Sequence, residues 1–120
     1  MPSTTIYERG LLVVVNVPFS DQSGTKLRPA LVVSPYAFHK KLPDVIVCPV
    51  SSQPHWHRTP GTGDRPLRDW RASGLRRPST VRVSKLIAVD KRIIKRTLGS
   101  LSPHDLGRVQ EALREALGMR

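Results

Sequence analysis

Three short apolar runs constrain this chain more than any other feature: Leu11-Leu12-Val13-Val14-Val15-Asn16-Val17, Ala30-Leu31-Val32-Val33 and Val45-Ile46-Val47-Cys48. Each is too short for an ordinary helix, rich in β-branched residues and nearly without polar alternation. Each therefore reads as a strand covered on both faces. Proline punctuates all three. Pro18 ends the first run, and Pro29 marks the start of the second, because proline lacks an N–H and pushes the residue before it into extended geometry. The third strand spans Asp44 to Val50 and runs out into Ser51-Ser52-Gln53.

Between the first two strands, Phe19 to Leu27 carries Asp21, Gln22, Ser23 and Gly24 in succession, which is the chemistry of a loop. Pro35 to His39 is suited to one helical turn. Residues 54–73, with Pro54, Pro60, Gly61, Gly63 and Pro66, form the least regular part. Ser79 to Val83 alternates as a strand with one wet face does, Leu86 to Val89 adds a short strand, and Lys91 to Arg96 belongs on the edge of the sheet. Near the end, Ser102 caps a helix with Pro103 at its first position and Asp105 three residues after the cap. Its stripe is Leu106, Val109, Leu113, Ala116 and Leu117, and Gly118 closes it.

A length of 120 residues predicts one domain over residues 1–120, with enough chain to bury a core without metals or disulfides. The lone Cys48 lies within an apolar run and reads as a small buried hydrophobe. The longest apolar stretch, Leu11 to Val15, is far below the roughly 20 residues of a membrane span, and no charged-then-apolar leader opens the sequence. A cytoplasmic protein with no membrane partner is expected. The formal charge is +11, and +9 of it falls in residues 51–100. A field of one sign over fifty residues attracts polyanions and makes binding fall with salt, which points to nucleic acid or an acidic protein partner.

Arg28 stands out among the polar residues. It precedes Pro29 at the mouth of a buried strand, a rigid place for a planar fork of N–H donors that matches phosphate. At the exit of the third strand, Ser51, Ser52 and Gln53 offer two hydroxyls and an amide. The following stretch interleaves Trp56 and Trp70 with Arg58, Arg65, Arg68 and Arg71. Cations that follow phosphates and rings that stack on splayed bases suit single-stranded nucleic acid. His55 and His57 have no carboxylate or thiolate at metal-ligand spacing, so no metal and no cofactor is expected.

Gly10, the segment Lys26-Leu27-Arg28-Pro29-Ala30-Leu31-Val32-Val33-Ser34, the strand Val45 to Val50 with Ser51-Ser52-Gln53, Gly74-Leu75 and the terminal helix together resemble the MazF/PemK toxins, over almost the whole chain. The resemblance implies a mainly β fold with α: a small half-open SH3-like β-barrel with a C-terminal α-helix, forming a homodimer. It also implies a toxin of a type II toxin–antitoxin system, a metal-independent, sequence-specific endoribonuclease that cuts single-stranded RNA to a 2′,3′-cyclic phosphate or 3′-phosphate end. A cognate acidic antitoxin is the implied protein partner, and operator DNA a target of the joint complex.

The family's catalytic arginine and threonine carry over to Arg28 and Ser51. Its loop glutamate, five residues before the arginine, is Ser23 here, so Asp21 is the nearest candidate base; its Gly-Asp opening is Gly10-Leu11. Lys26, Ser52, Gln53, Trp56, Arg58 and Arg76 are expected to contact substrate. The departures at Ser23 and Ser51 leave a second possibility, a non-catalytic RNA- or DNA-binding member that acts with an antitoxin. A gyrase poison of the CcdB kind is disfavoured, because such proteins end Trp-Gly-Ile and this chain ends Leu117-Gly118-Met119-Arg120.

Overall fold

The computed structural model of the protein describes residues 5–18 and 25–119. In chain order the elements are β1 (Leu11–Pro18), β2 (Thr25–Val32), α1 (Tyr36–His39), β3 (Asp44–Ser51), α2 (Pro54–Arg58), β4 (Asp64–Pro66), β5 (Thr80–Arg82), β6 (Ile87–Asp90), β7 (Ile94–Ser100) and α3 (Pro103–Leu117). Seven antiparallel strands form one sheet in the order β4-β5-β3-β2-β1-β7, with β6 paired to β3 beside β5. Among the described residues β4 and β7 do not pair with each other, so the sheet curls into a half-open barrel.

The absence of alternation in the apolar runs has a direct cause, since both faces of the central strands are covered. Leu12, Leu31, Cys48, Val50 and Val81 point to one side, where they meet Val109 and Ala112 of α3. Val13, Val15, Ala30, Val32, Val45 and Val47 fill a second cluster on the other side. Successive strand residues face opposite ways, so one run feeds two cores.

Pro29 does not begin its strand, as the sequence suggested. β2 starts at Thr25, and Pro29 lies inside it, opposite Val14 of β1. What Pro29 ends is the pairing with β3. The amide of Val33 donates to Ile46 on β3, and amides on one edge of a strand recur at every second residue. The N–H at position 29 would therefore be the next but one toward β3; proline has none, and the ladder stops at Ala30–Pro49. Pro49 marks a second break on the opposite edge of β3. Residues 44–47 there pair with β6, Val50 and Ser51 pair with β5, and a 3-10 turn over Val83–Lys85 fills the interval.

Other differences from the sequence expectations are local. The stretch expected to be irregular holds α2 and β4, held by Asp64, whose buried carboxylate accepts from Gly61 N at 2.7 Å and pairs with Arg82 at 3.0 Å. β7 is a full strand where only an edge segment was expected. On α3, Ser102 caps as predicted, accepting from Asp105 N at 3.2 Å, and Gly118 closes the helix at φ 67°. The apolar stripe ends early, however: Val109 and Ala112 are buried, while Ala116 is exposed and Leu117 is 57% exposed.

Candidate functional site

Where β2 loses contact with β3, a cleft of about 500 Å³ opens, bordered by β1, β2, β7 and the loop before β5. Arg28, Ser52, Arg76, Arg77, Ser79 and Arg96 are among its lining residues. Arg28 comes from β2, opposite Val15, and Arg96 from β7, opposite Val14. Ser52 follows directly on β3.

The loop carrying Arg76 and Arg77 is fixed at its start. The Asp105 carboxylate accepts from Arg68 N at 3.0 Å and Asp69 N at 2.8 Å, and Ser102 Oγ donates to Asp69 Oδ2 at 2.7 Å. The same loop lies hard against β7. Gly74 adopts φ 94°, a left-handed conformation that L side chains rarely take, and its Cα hydrogen faces the Leu98 carbonyl.

The cleft lining contains four arginines and, among the described residues, no carboxylate or imidazole. Several carboxylates among the described residues lie outside the cleft and are already engaged. Asp69 bonds Arg68 and Ser102, which holds its carboxyl below the usual carboxylate range. Hydrogen bonds from the Arg92 side chain and amide do the same for Asp90. Asp64 neutralises Arg82. Among the described residues Arg76, Arg77 and Arg96 form no ion pair, so they give the cleft a positive field.

The residues singled out in the sequence divide into two groups. Arg28, Ser52 and Arg76 share the cleft. Ser51 is half-buried at the end of β3, opposite Thr80, and its Oγ accepts from Gln53 N at 3.2 Å; it lies beside the cleft rather than in its lining. Lys26 is exposed on β2, Gln53 is exposed at the start of α2 and Arg58 is exposed at its end. Trp56 is half-buried, with the Arg82 guanidinium 3.8 Å from its ring centroid and His55 at its side. One of its faces is thus already covered. Asp21 lies outside the described residues.

Arg77 and Arg96 were not singled out beforehand. Their signal was present only in bulk, in the excess positive charge of residues 51–100, and a charge count does not say which cations converge. Cys48 is buried, and burial pushes its thiol up to about 12, so it is no nucleophile. Among the described residues no three His, Cys, Asp or Glu side chains group as a metal site, and no helix is long and apolar enough to cross a membrane.

A half-open barrel with a C-terminal helix, carrying an arginine-lined cleft at the split between two strands, defines a class of small β proteins. The chain belongs to the PemK-like, MazF-like toxins of type II toxin–antitoxin systems, whose family model matches residues 8–117. Among solved structures it resembles the MazE–MazF complex of Deinococcus radiodurans, at 26% identity and TM-score 0.76, over 97% of this chain and 100% of that one. A mycobacterial endoribonuclease in complex with its cognate antitoxin has the same fold at 18% identity and TM-score 0.76, covering 94% and 96% of the two chains. The Mycobacterium tuberculosis toxin MazF-mt6 does so at 18% identity and TM-score 0.69, covering 90% and 98%. No curated protein sequence matches the chain significantly.

Proposed function

We propose that this toxin is a metal-independent endoribonuclease that cuts single-stranded RNA at preferred sequences, and that the cleft containing Arg28 is where it does so. The observation that carries the proposal is that Arg28, Arg76, Arg77 and Arg96 all border one cleft, with hydroxyls at its rim. Membership of the toxin family and the likeness to a mycobacterial endoribonuclease support it.

In this reaction the ribose 2′-oxygen attacks the adjacent phosphorus. The P–O2′ bond forms, the P–O5′ bond breaks, and a 2′,3′-cyclic phosphate and a 5′-hydroxyl remain. Negative charge builds on the phosphoryl oxygens as the bonds exchange. A fixed guanidinium stabilises that charge where it develops, and this is the role assigned to Arg28. Ser51 is the second donor. Its oxygen accepts from Gln53 N, which leaves the hydroxyl proton to be given to a phosphoryl oxygen. Asp21 is the base that removes the 2′-proton, and the departing 5′-oxygen takes up a proton from solvent to become the 5′-hydroxyl. Lys26, Ser52, Gln53, Trp56, Arg58 and Arg76 contact the strand around the scissile phosphate.

The working form in this proposal is a homodimer in the cytoplasm. A cognate antitoxin with an acidic, amphipathic segment occupies the same basic surface and displaces RNA, with carboxylates meeting the arginines; the complexed relatives from Deinococcus radiodurans and mycobacteria support such a partner. Operator DNA is a further target of the joint complex.

The deciding experiment incubates the protein with single-stranded RNA in excess chelator and maps the new ends. Cleavage with 2′,3′-cyclic phosphate or 3′-phosphate ends, and none of the matching DNA, is the expected result. A strict need for added magnesium overturns the mechanism. Binding of RNA without cleavage under every condition establishes the second reading, a non-catalytic member of the fold, which the departures at Ser23 and Ser51 from the family's glutamate and threonine favour.

A further inference from the structure

α2 has little of its own to hold it in place. It is five residues long, has no side-chain cap at its start and contains no buried residue. A helix this short is marginal in water, so its position must come from a tertiary contact. Trp56 supplies one. Its ring centroid lies 3.8 Å from the Arg82 guanidinium, a planar cation set against an indole face.

The guanidinium is itself held. Arg82 Nε donates to Asp64 Oδ1 at 3.0 Å, and the Asp64 side chain is fully buried. The other carboxylate oxygen, Oδ2, accepts from Gly61 N at 2.7 Å. One buried carboxylate therefore fixes both the seat on which Trp56 rests and the chain that leaves α2 three residues beyond Arg58. Such a pair differs from an exposed one, because loss of either partner leaves a buried charge uncompensated.

At the other end of α2 stands the proposed donor. Gln53, the residue before Pro54, donates its N–H to Ser51 Oγ at 3.2 Å. The register places the same groups together. Ser51 lies opposite Thr80, and Arg82, two residues further along β5, lies opposite Asp64. Residues directly opposite, and those two apart on one strand, share a face, so Ser51, Arg82 and Asp64 lie on one side of the sheet and Val50 and Val81 on the side of α3. Pairing with β5 fixes the Ser51 backbone. Its hydroxyl is set by Gln53, and Gln53 goes where α2 goes.

We infer that Arg82, clamped by Asp64, is a positioning residue: it seats Trp56, holds α2 and, through the Gln53 amide, aims the Ser51 hydroxyl. This rests on the donor role proposed for Ser51. Arg82 covers one face of the ring only, so this role and the contact with RNA given to Trp56 above do not compete.

The test follows the Gln53 amide of the isotope-labelled full chain by NMR, together with kcat for RNA cleavage. Ser51→Ala gives the reference shift for an amide that has lost its acceptor. Arg82→Met is expected to move the Gln53 amide in the same direction and to speed its exchange with solvent. Trp56→Leu, which keeps the buried ion pair, is expected to do the same and carries the test should Arg82→Met not fold. Arg92→Gln, which breaks the exposed pair with Asp90, leaves the amide unmoved. Arg82→Met should lower kcat by about 10- to 100-fold, as misplacement of a reacting group does. Added to Ser51→Ala it should cost nothing further, whereas losses from a general structural role would multiply.

An unmoved Gln53 amide in folded Arg82→Met, or in Trp56→Leu, overturns the inference, and so do kcat losses that multiply in the double variant. If the amide moves as expected but the wild type cuts no RNA, the seat stands as the support of α2 and the Ser51 hydroxyl, and the enzymatic reading falls. If the amide is unmoved and the wild type cuts RNA, the enzymatic reading stands and the seat is wrong.

Discussion

Gly74 and Gly99 lie back to back at the base of the cleft: a Cβ added to Gly74 would sit 2.5 Å from the Leu98 carbonyl oxygen, and one added to Gly99 would run into the carbonyl of Ser73. Backbone meets backbone there, and neither carbonyl can move as a side chain would. The contact fixes the loop of Arg76 and Arg77 against β7 and thereby sets the width of the basic cleft.

Gly74→Ala and Gly99→Ala should each destabilise the fold by about 2–4 kcal/mol, through strain at positive φ in the first case and overlap in both. Gly107 supplies the contrast. It lies within α3 and a Cβ there meets nothing within 4 Å, so Gly107→Ala should stabilise by about 0.5–1 kcal/mol. Urea unfolding of the three variants checks both signs in one series.

Arg28 is expected to tolerate no replacement in catalysis. Arg28→Ala should lower kcat by about 10²–10³-fold, the usual loss when one donor to a developing oxyanion is removed. Arg28→Lys should do nearly as badly, because an ammonium cannot reproduce a two-pronged guanidinium contact. Both variants should remain folded, since Arg28 is exposed and not part of the core. Full activity in Arg28→Lys would remove Arg28 from the chemistry.

Ser51 and Ser52 are adjacent but differently placed, and this separates their roles. Ser51→Ala should lower kcat by about 100-fold with little change in KM, as loss of a transition-state donor does. Ser52→Ala, in the cleft lining, should raise KM and leave kcat largely intact. The reverse pattern in steady-state kinetics would transfer the donor role to Ser52.

The acid limb of stability should report Asp69. Its hydrogen bonds from Arg68 and Ser102 lower its pKa in the folded protein. The unfolded chain therefore binds the proton more readily, and the carboxylate's contribution is complete above the ordinary aspartate value of about 3.9 and lost as pH falls through the lower folded value. Asp69→Asn should be less stable than wild type at neutral pH and should lose less on acidification below about pH 4. Unfolding midpoints measured from pH 7 to pH 2.5 give the comparison, and parallel curves would rule the contribution out.

The sequence was most legible where a local rule acts alone. The cap at Ser102, the proline after it and the left-handed Gly118 are fixed by a few neighbouring residues, and α3 begins and ends where they say. The apolar runs of β1, β2 and β3 are equally plain, because strands buried on both faces need no polar alternation. β7 was harder to see. Its burial is shallow, two bulges break its period, and its residues Ile94 to Ser100 form a strand because β1 offers an edge, not because their own pattern demands it.

The cleft was half legible for the same reason. Arg28 could be found because Pro29 marks it. Arg77 and Arg96 were lost among the many basic residues of the central segment, since only the fold decides which of these meet. Trp56 shows what residue type leaves out: an indole in a basic stretch suggests stacking on a base, and a neighbouring strand supplies Arg82 to one face of the ring.

The missing N–H of Pro29 also bears on rates. Many binding grooves in β proteins exist only when strands part, so that entry waits on the breaking of a rung. Here the rung beyond Ala30–Pro49 has no donor on β2, so at most one of its two hydrogen bonds can form and that stretch of the seam is weakly held. If a strand is captured beside Arg28 as proposed, its entry should be set by diffusion and electrostatic attraction more than by an opening step of this ladder.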